Sequence, residues 1–398
     1  MPRVIGTDVV LESNEGYDVY LHERQRVTEA LIDKWQWLLE GTKKQQLPPI
    51  DMKHWGTMAI LFENQMVAAK RDKALMEATV KTDVALPVTY SLPIIRKVYP
   101  NLVAMKVASV QPMPFSSGGV MNIFYQDFLA EDNANQPLDC PDSDYAQNIE
   151  NAVPKRIKMQ ITKAAVTADK KILGASWSQE VEEDARGALN IDIEGELVQQ
   201  MAMQIQREID QIVLAEMLLW ASAGNVNWAW TVPAAYTSAK DYYQTLGHAC
   251  VDAEMNIYAQ FYRQADWIIC GRRVASYMRK MQDFVPAPRN QPPDPFKMSV
   301  QHIGEITGFW DVYLTMHINQ DRAIMGCYPR SMTDTAYVFA PYIPLTAMPK
   351  VYAEYLGPND ATLPGAYINT DKWSRNVRTR YAKRLVMPRL LSTLSIAA

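Results

Sequence analysis

Cysteine is scarce in this chain. Only Cys140, Cys250, Cys270 and Cys327 occur in 398 residues, and no spacing among them suits a metal. That excludes a disulfide framework as the source of stability and points to a reducing compartment. Histidine is almost as rare: His22, His54, His248, His302 and His317. None forms an HExxH motif, and His248-Ala249-Cys250 is the only close His/Cys pair. Zinc needs three or four converging ligands, so no metal site is expected. Nucleophile elbows, phosphate-cradling glycine loops and dinucleotide fingerprints are all missing, so no cofactor and no enzymatic activity are expected.

There is no excess of basic charge either. Forty Lys and Arg stand against 44 Asp and Glu, for a net charge of -4. A protein whose main task is gripping nucleic acid is normally basic, so contact with DNA is expected to be weak and non-specific. Long apolar runs are absent. The longest, Ile212 to Gly224, is broken by Glu216 and falls short of the roughly 20 residues of a membrane span. The N-terminal MPRVIGTDVVLESNEG lacks a basic start followed by an apolar core, so no secretory signal is expected. Internal repeats and low-complexity tracts are not found.

What remains is ordinary in bulk, with 48% hydrophobic and 21% charged residues, the composition of a globular protein. The length exceeds what one core usually supports, so two domains are expected. Val27, Leu31, Trp35 and Leu39 recur every four residues and predict a helix over 22–40, stopped at Gly41. A proline-bearing link, Thr42 to Pro49, leads to a second helix from Thr57 to about Thr79. Two linked helices cannot make a core; they need a surface, either on a neighbouring subunit or on their own chain.

The stretch from Leu86 to Phe128 is the most specific. Its order predicts a helix over Tyr90–Tyr99 ended by Pro100, a strand over Leu102–Val110, a turn at Ser116-Ser117-Gly118-Gly119 and a strand over Val120–Phe128. Residues 129–152 are acidic, amide-rich and loop-like. A strand over Arg156–Ala168 alternates Ile157, Met159 and Ile161 with Lys158, Gln160 and Thr162, the pattern of a half-exposed ribbon. Ser176 with Gln179 predicts a capping box, opening a helix through Asp184. A longer helix from Asp192 to Trp220 carries the stripe Leu197, Met201, Ile205, Ile209, Ile212 and Val213. From Asn225 onward short strands, aromatics and prolines dominate. A buried strand is predicted at Ala265–Gly271, a helix at Arg273–Gln282, an irregular loop at Val285–Pro295, and strands at Trp310–Leu314, Ala323–Cys327 and Ala336–Ala340.

Several of these segments carry a resemblance. Leu92-Pro93-Ile94-Ile95-Arg96-Lys97-Val98-Tyr99-Pro100-Asn101-Leu102, running into Val110-Gln111-Pro112-Met113, is similar to the major capsid proteins of T-even-like tailed bacteriophages, a branch of the HK97 fold. So are Met58 to Gln65, Ala175 to Glu180 with Glu196-Leu197 and Ile205 to Ile212, Asp334 to Leu345, and Arg378-Thr379-Arg380-Tyr381-Ala382-Lys383. The blocks stand in the family's order. The resemblance implies an α+β, HK97-like phage capsid fold with an N-terminal arm (1–85), a peripheral domain with a long spine helix (86–112 and 170–236), an extended β-hairpin loop (113–169), an axial domain (237–372) and a return segment of the peripheral domain (373–398).

It further implies a virion protein, synthesised in the bacterial cytoplasm, that self-assembles into hexamers and pentamers around double-stranded DNA. Vertex, portal, scaffold and decoration proteins are the expected partners, and no membrane is. A pentameric vertex protein and an encapsulin-like compartment shell are the alternatives. Residues 129–155 are too few for the insertion domain many relatives carry. Leu38-Leu39-Glu40 fits the context at which many relatives lose a propeptide, but such tripeptides are common by chance, and retention is the reading adopted. Lysine–asparagine cross-links through Lys155, Lys158 or Lys163 are not expected, because T-even-like relatives generally lack them.

Other polar features have plain readings. Glu182-Glu183-Asp184 is read as a solvated or inter-subunit ion-pairing face rather than acid–base machinery. Lys372, Arg375, Arg378, Arg380, Lys383, Arg384 and Arg389 form a basic tract with only Asp371 opposing, read as salt bridging to acidic neighbours rather than phosphate binding. Trp228-Ala229-Trp230 is read as core or interface anchors. The expected inter-subunit contacts are Trp35, Phe115, Tyr125, Lys158, Lys163, Arg378 and Arg380.

Overall fold

The computed structural model describes residues 14–40, 50–79, 88–130, 157–190, 192–288, 299–306, 309–355 and 368–397, apart from positions 191, 235, 237, 332 and 349. Helix α1 (Asn14–Leu39) and helix α2 (Trp55–Thr79) lie against one another. Trp35 meets Phe62 with ring centroids 5.7 Å apart, and Leu38, Leu39, Met58, Leu61 and Phe62 are buried in the main core. Burying a side chain such as Phe62 contributes roughly 2–3 kcal/mol. Of the two surfaces left open by the sequence, the helices use their own chain.

Helix α3 (Val88–Val98) follows, with Pro93 tolerated within it, and Tyr99–Asn101 continues as a 3-10 turn. The strand expected over Leu102–Val110 is instead helix α4 (Val103–Val107), and only Ser109–Val110 is strand, β1. A short apolar run cannot distinguish the two by periodicity. The deciding contact is distant in sequence: the Val103 N–H donates to the Asp210 carboxylate at 2.9 Å.

Strands β2 (Val120–Ala130) and β3 (Ile157–Thr167) pair antiparallel along their whole length, from Val120 opposite Thr167 to Ala130 opposite Ile157. Eleven residues per strand make a ribbon of roughly 37 Å. The loop expected at 129–152 lies mostly outside the described residues. Strand β4 (Asp169–Ser178) was not anticipated; it carries Ser176 opposite Ser374, so Ser176 is no helix cap. Ser178 caps instead, accepting from the Val181 N–H at 3.4 Å at the start of α5 (Gln179–Asp184).

Helix α6 (Ile193–Trp220) has 28 residues and so spans roughly 42 Å. Its buried face holds Met201, Ile205, Ile209 and Val213 as expected, but Val198 and Leu214 are buried where Leu197 and Ile212 stay half-exposed. After strand β5 (Gly224–Ala229) comes helix α7 (Ala239–Phe261), where only strands and irregular chain were expected. Its buried Tyr242, Leu246, Ala249, Ala253 and Ile257 have helical spacing; aromatic-rich composition had obscured the period.

The remaining elements are β6 (Trp267–Cys270), α8 (Arg272–Met278), β7 (Phe284–Pro286), β8 (Val300–Ile306), β9 (Trp310–Thr315), β10 (Arg322–Gly326), β11 (Tyr337–Ala347), β12 (Val351–Tyr355), β13 (Ile368–Leu385) and β14 (Leu391–Ala397). They complete two sheets. One joins β1, β11, β13 and β12, with β4 also on β13. The other runs β5-β14-β10-β6-β9-β8-β7, and all four residues of β6 near its centre are buried.

The 372/373 division falls inside β13, and β11, within the segment expected to be axial, shares a sheet with β4. The last strand, β14, belongs to the seven-stranded sheet rather than the one holding β13. Chain connectivity hides this, because sheet partners lie more than two hundred residues apart, as Ser109 and Val338 do.

Candidate functional site

Among the described residues, several buried polar groups pin the elements together. At the base of the β2–β3 ribbon, Phe115 stacks on Tyr342 with centroids 5.8 Å apart and planes 20° from parallel. The Tyr342 hydroxyl donates to the Phe115 carbonyl at 3.2 Å. The Arg380 guanidinium lies 5.2 Å from the Tyr342 ring centre and donates to the Ala168 carbonyl at 3.3 Å. Gly119, at φ +87°, fits beneath them; a Cβ there would sit 3.1 Å from Arg380 Nη2. Phe115 and Arg380, two of the expected contacts, are thus brought together as a clamp on the hairpin base.

The others are scattered. Trp35 is only 5% exposed and its indole N–H donates to Glu63, so it faces its own core; neighbouring Trp37, 59% exposed, is the outward aromatic of α1. Tyr125 packs half-buried against the main core, Lys163 is exposed on β3, and Arg378 is half-buried on β13 opposite Ile172. The side chain of Lys158 lies outside the described residues.

Helix α2 is pinned by two buried amides, Asn64 and Gln65. Asn64 Nδ2 donates to the carbonyls of Met113 (2.7 Å) and Tyr342 (2.8 Å). Gln65 accepts from the Thr346 hydroxyl at 2.7 Å. Buried carbonyls need such donors. The basic tract is largely occupied within the chain. Arg375 pairs with Glu194 and Lys383 with Glu216, both acids on α6, while Tyr337 donates to the second Glu216 oxygen at 2.6 Å. On the other side of the sheet edge Glu182 pairs with Lys350 and accepts from the Trp177 indole at 2.8 Å. These donors hold its carboxyl below the usual carboxylate range. Glu182 of the acidic run and Arg375 and Lys383 of the basic tract thus form ion pairs within the chain.

Asp210, fully buried in mid-α6, connects three segments. It accepts from Val103 on α4 and from the Ser299 hydroxyl beside β8, and Ser299 in turn lies 3.1 Å from His317 Nε2. Burial pushes its carboxyl up to about 7, against the opposing effect of these donors and of nearby Lys106. Sequence gives no sign of this group beyond an acid on an apolar stripe.

Antiparallel pairing of β8 and β9 gathers His302, Glu305 and Asp311, whose ligand atoms lie within 4.8 Å of one another. Their spacing had given no warning of this. The cluster is exposed or half-exposed, His302 faces Asp311 at 3.6 Å, and Asp311 already accepts from the Tyr328 hydroxyl at 2.6 Å. His248 is exposed while Cys250 is buried on the other side of α7, its thiol pushed up to about 12 by burial. Trp228 is a core anchor, stacked on Tyr242 at 5.4 Å. No helix among the described residues is long and apolar enough to cross a membrane.

No curated protein sequence matches the chain. Among solved structures, one from Microbacterium phage Oxtober96 is 13% identical, with 74% of this chain and 91% of that one covered at a TM-score of 0.45. The capsid of an empty GTA particle is 14% identical, covering 75% and 90% at 0.45. The capsid of Myoviridae phage XM1 is 12% identical, covering 70% and 86% at 0.42. A family model described as major capsid protein Gp23 matches residues 142–361, more than half of the sequence. The chain accordingly belongs to the Gp23 major capsid protein family and is a structural protein of a bacteriophage head.

Proposed function

We propose that copies of this chain close into hexamers, with pentamers at vertices, and tile an icosahedral or elongated head around double-stranded DNA. In this reading the architecture is that of the HK97 fold, in its T-even-like branch. The carrying observation is the β2–β3 ribbon. It is paired along all eleven residues of each strand, and Ile123, Ala164 and Val166 are buried toward its base. A ribbon of that reach, clamped at its root by Phe115, Tyr342 and Arg380, suits contact with an adjacent subunit. Lys158 and Lys163 are the ribbon residues assigned to that contact.

The five-stranded sheet with α6 corresponds to the peripheral domain and the seven-stranded sheet with α7 to the axial one. Arg375 and Lys383, neutralised by helix acids, leave a wall over which packaged DNA slides without adhering. Portal, scaffold, vertex and decoration proteins complete the head. Negative-stain microscopy of particles formed by the full chain with the phage's other head proteins tests this. Hundreds of copies per DNA-filled shell are expected. Tens of copies would assign the chain to the vertices, a shell filled with protein cargo to a storage compartment, and a persistently monomeric subunit would overturn the reading.

A further inference from the structure

We propose that His302, Glu305 and Asp311, on the outer face of the β8–β9 pair, form a binding site for a divalent transition-metal ion such as zinc. The inference goes beyond the shell-building reading above and stands or falls independently of it.

Regular strand geometry would not build this group, because residues three apart on a strand point to opposite faces. Strand β8, however, carries one extra residue. His302 lies opposite Tyr313 and Glu305 opposite Asp311, so three steps on β8 match two on β9. This bulge turns both side chains outward, and they are exposed while Val300, Ile303 and Ile306 are buried. Gly304 permits it, since a Cβ there would collide with the Val285 carbonyl of β7. The sequence spacing therefore hides a set of donors that only the bulged pairing brings together.

Three observations favour a bound cation over an ordinary ion pair. First, Glu305 and Asp311 are directly opposed across the two strands, and like charges so placed are destabilising. Among the described residues no lysine or arginine forms an ion pair with either. Second, His302 Nε2 and Asp311 Oδ1 lie 3.6 Å apart, too far for a hydrogen bond. Two donors held tetrahedrally by one zinc at about 2.0–2.2 Å are about 3.4 Å apart, so this separation suits a shared ion. The three ligand atoms all lie within 4.8 Å of one another, and small side-chain rotations close the set. Third, the donors are held from behind. The other Asp311 oxygen accepts from the Tyr328 hydroxyl at 2.6 Å, that hydroxyl lies 3.0 Å from the Tyr313 hydroxyl, and the His302 ring packs 5.3 Å from the Tyr313 ring. Metal-binding carboxylates and imidazoles ordinarily have such partners. The imidazole selects zinc or a similar transition ion, because calcium and magnesium prefer oxygen donors throughout. Three protein donors leave a further position to water. An ion there neutralises the opposed acids and ties β8 to β9 at the bulge.

The test titrates Zn²⁺ into the chelator-treated full chain by calorimetry, with thermal melting alongside. The parent should bind zinc and melt higher in its presence. His302→Gln and Glu305→Gln should melt like the parent without metal, yet each should weaken zinc binding by roughly 100-fold. Tyr328→Phe, which removes the group behind Asp311, should weaken it by roughly tenfold. His248→Ala, on the exposed side of α7, should keep the parent's affinity. X-ray absorption of the zinc-loaded chain should show one imidazole among oxygen ligands. If a variant melts early without metal, the absorption spectrum of the parent and the remaining variants decide. The proposal is overturned if zinc does not bind, if His302→Gln and Glu305→Gln bind it as the parent does, or if calcium binds as tightly. Sulfur ligands or several imidazoles in the absorption spectrum would overturn it equally, because the ion would then sit elsewhere.

Discussion

The Asp210 carboxylate, in the second half of α6, accepts the backbone N–H of Val103 at 2.9 Å. One acid therefore starts a helical turn more than a hundred residues earlier, and through Ser299 it also holds the border of β8. Spine helix, α4 and the seven-stranded sheet meet at one titratable group.

That meeting point has a pH consequence. The folded-state value, about 7, lies above the roughly 3.9 of an unfolded aspartate. A raised carboxyl favours the folded state when protonated. Its contribution is fully present below about pH 4 and is lost as pH climbs through 7. His317 is lowered by burial and by Arg207 and works in the opposite sense, so the comparison with Asp210→Asn isolates the acid. The variant should gain on the parent by about 1.4 kcal/mol per pH unit between roughly pH 4 and 7 and level off above 7, read from melting curves between pH 5 and 8.5. A difference that does not change with pH would refute the assignment. Asp210→Ala should lie below Asp210→Asn by about 1–3 kcal/mol at every pH, because the Val103 N–H is stranded.

Asn64→Leu tests whether α2 belongs to the body or is merely an arm. Both amide hydrogens serve buried carbonyls, so the substitution should lower stability by about 2 kcal/mol and speed proteolysis within α2. An unchanged melting curve would mean that α2 is held by apolar contact alone.

At the hairpin base, Gly119→Ala and Gly118→Ala separate strain from crowding. Both glycines have positive φ, +87° and +65°, but only Gly119 faces neighbours, Arg380 and Tyr342. Left-handed backbone alone costs a non-glycine residue about 1–2 kcal/mol, which Gly118→Ala should show. Gly119→Ala should cost more, and it should loosen the ribbon in hydrogen exchange while Gly118→Ala does not.

The ion pairing of the basic tract predicts poor DNA binding. The purified subunit should bind a short duplex no better than the ordinary non-specific range, a Kd of about 10⁻⁴–10⁻⁶ M at physiological salt, with strong salt dependence. Fluorescence anisotropy across a salt series measures this. Tight binding that persists at high salt would contradict it.

Ile205→Asp probes the spine. Ile205 is 2% exposed on the buried face of α6, so an unpaired charge there should abolish folding, seen as lost soluble expression. Normal particles would show that the stripe has been misassigned.

Local regularities were legible in the residues themselves. The α6 stripe from Met201 to Val213, the hairpin flanking Ser116–Gly119 and the helix ended near Pro100 all follow from spacing and turn chemistry, which depend only on near neighbours. The strand in place of α4, the missing α7 and the unforeseen β4, β8 and β14 have a common origin. In each, a short or mixed apolar run suits more than one backbone, and a partner far along the chain selects among them. β14 shows this most plainly, lying between β10 and β5.

For the surfaces the division is similar. Sequence alone excluded a catalytic or metal-binding motif, an excess of positive charge and a long apolar segment, and the order of its motifs indicated a capsid protein. It could not say that Trp35 turns inward while Trp37 faces out, that Arg380 clamps a ribbon, or that Asp210 joins three segments. Those outcomes depend on which distant groups desolvate one another, and that is decided only when the sheets close.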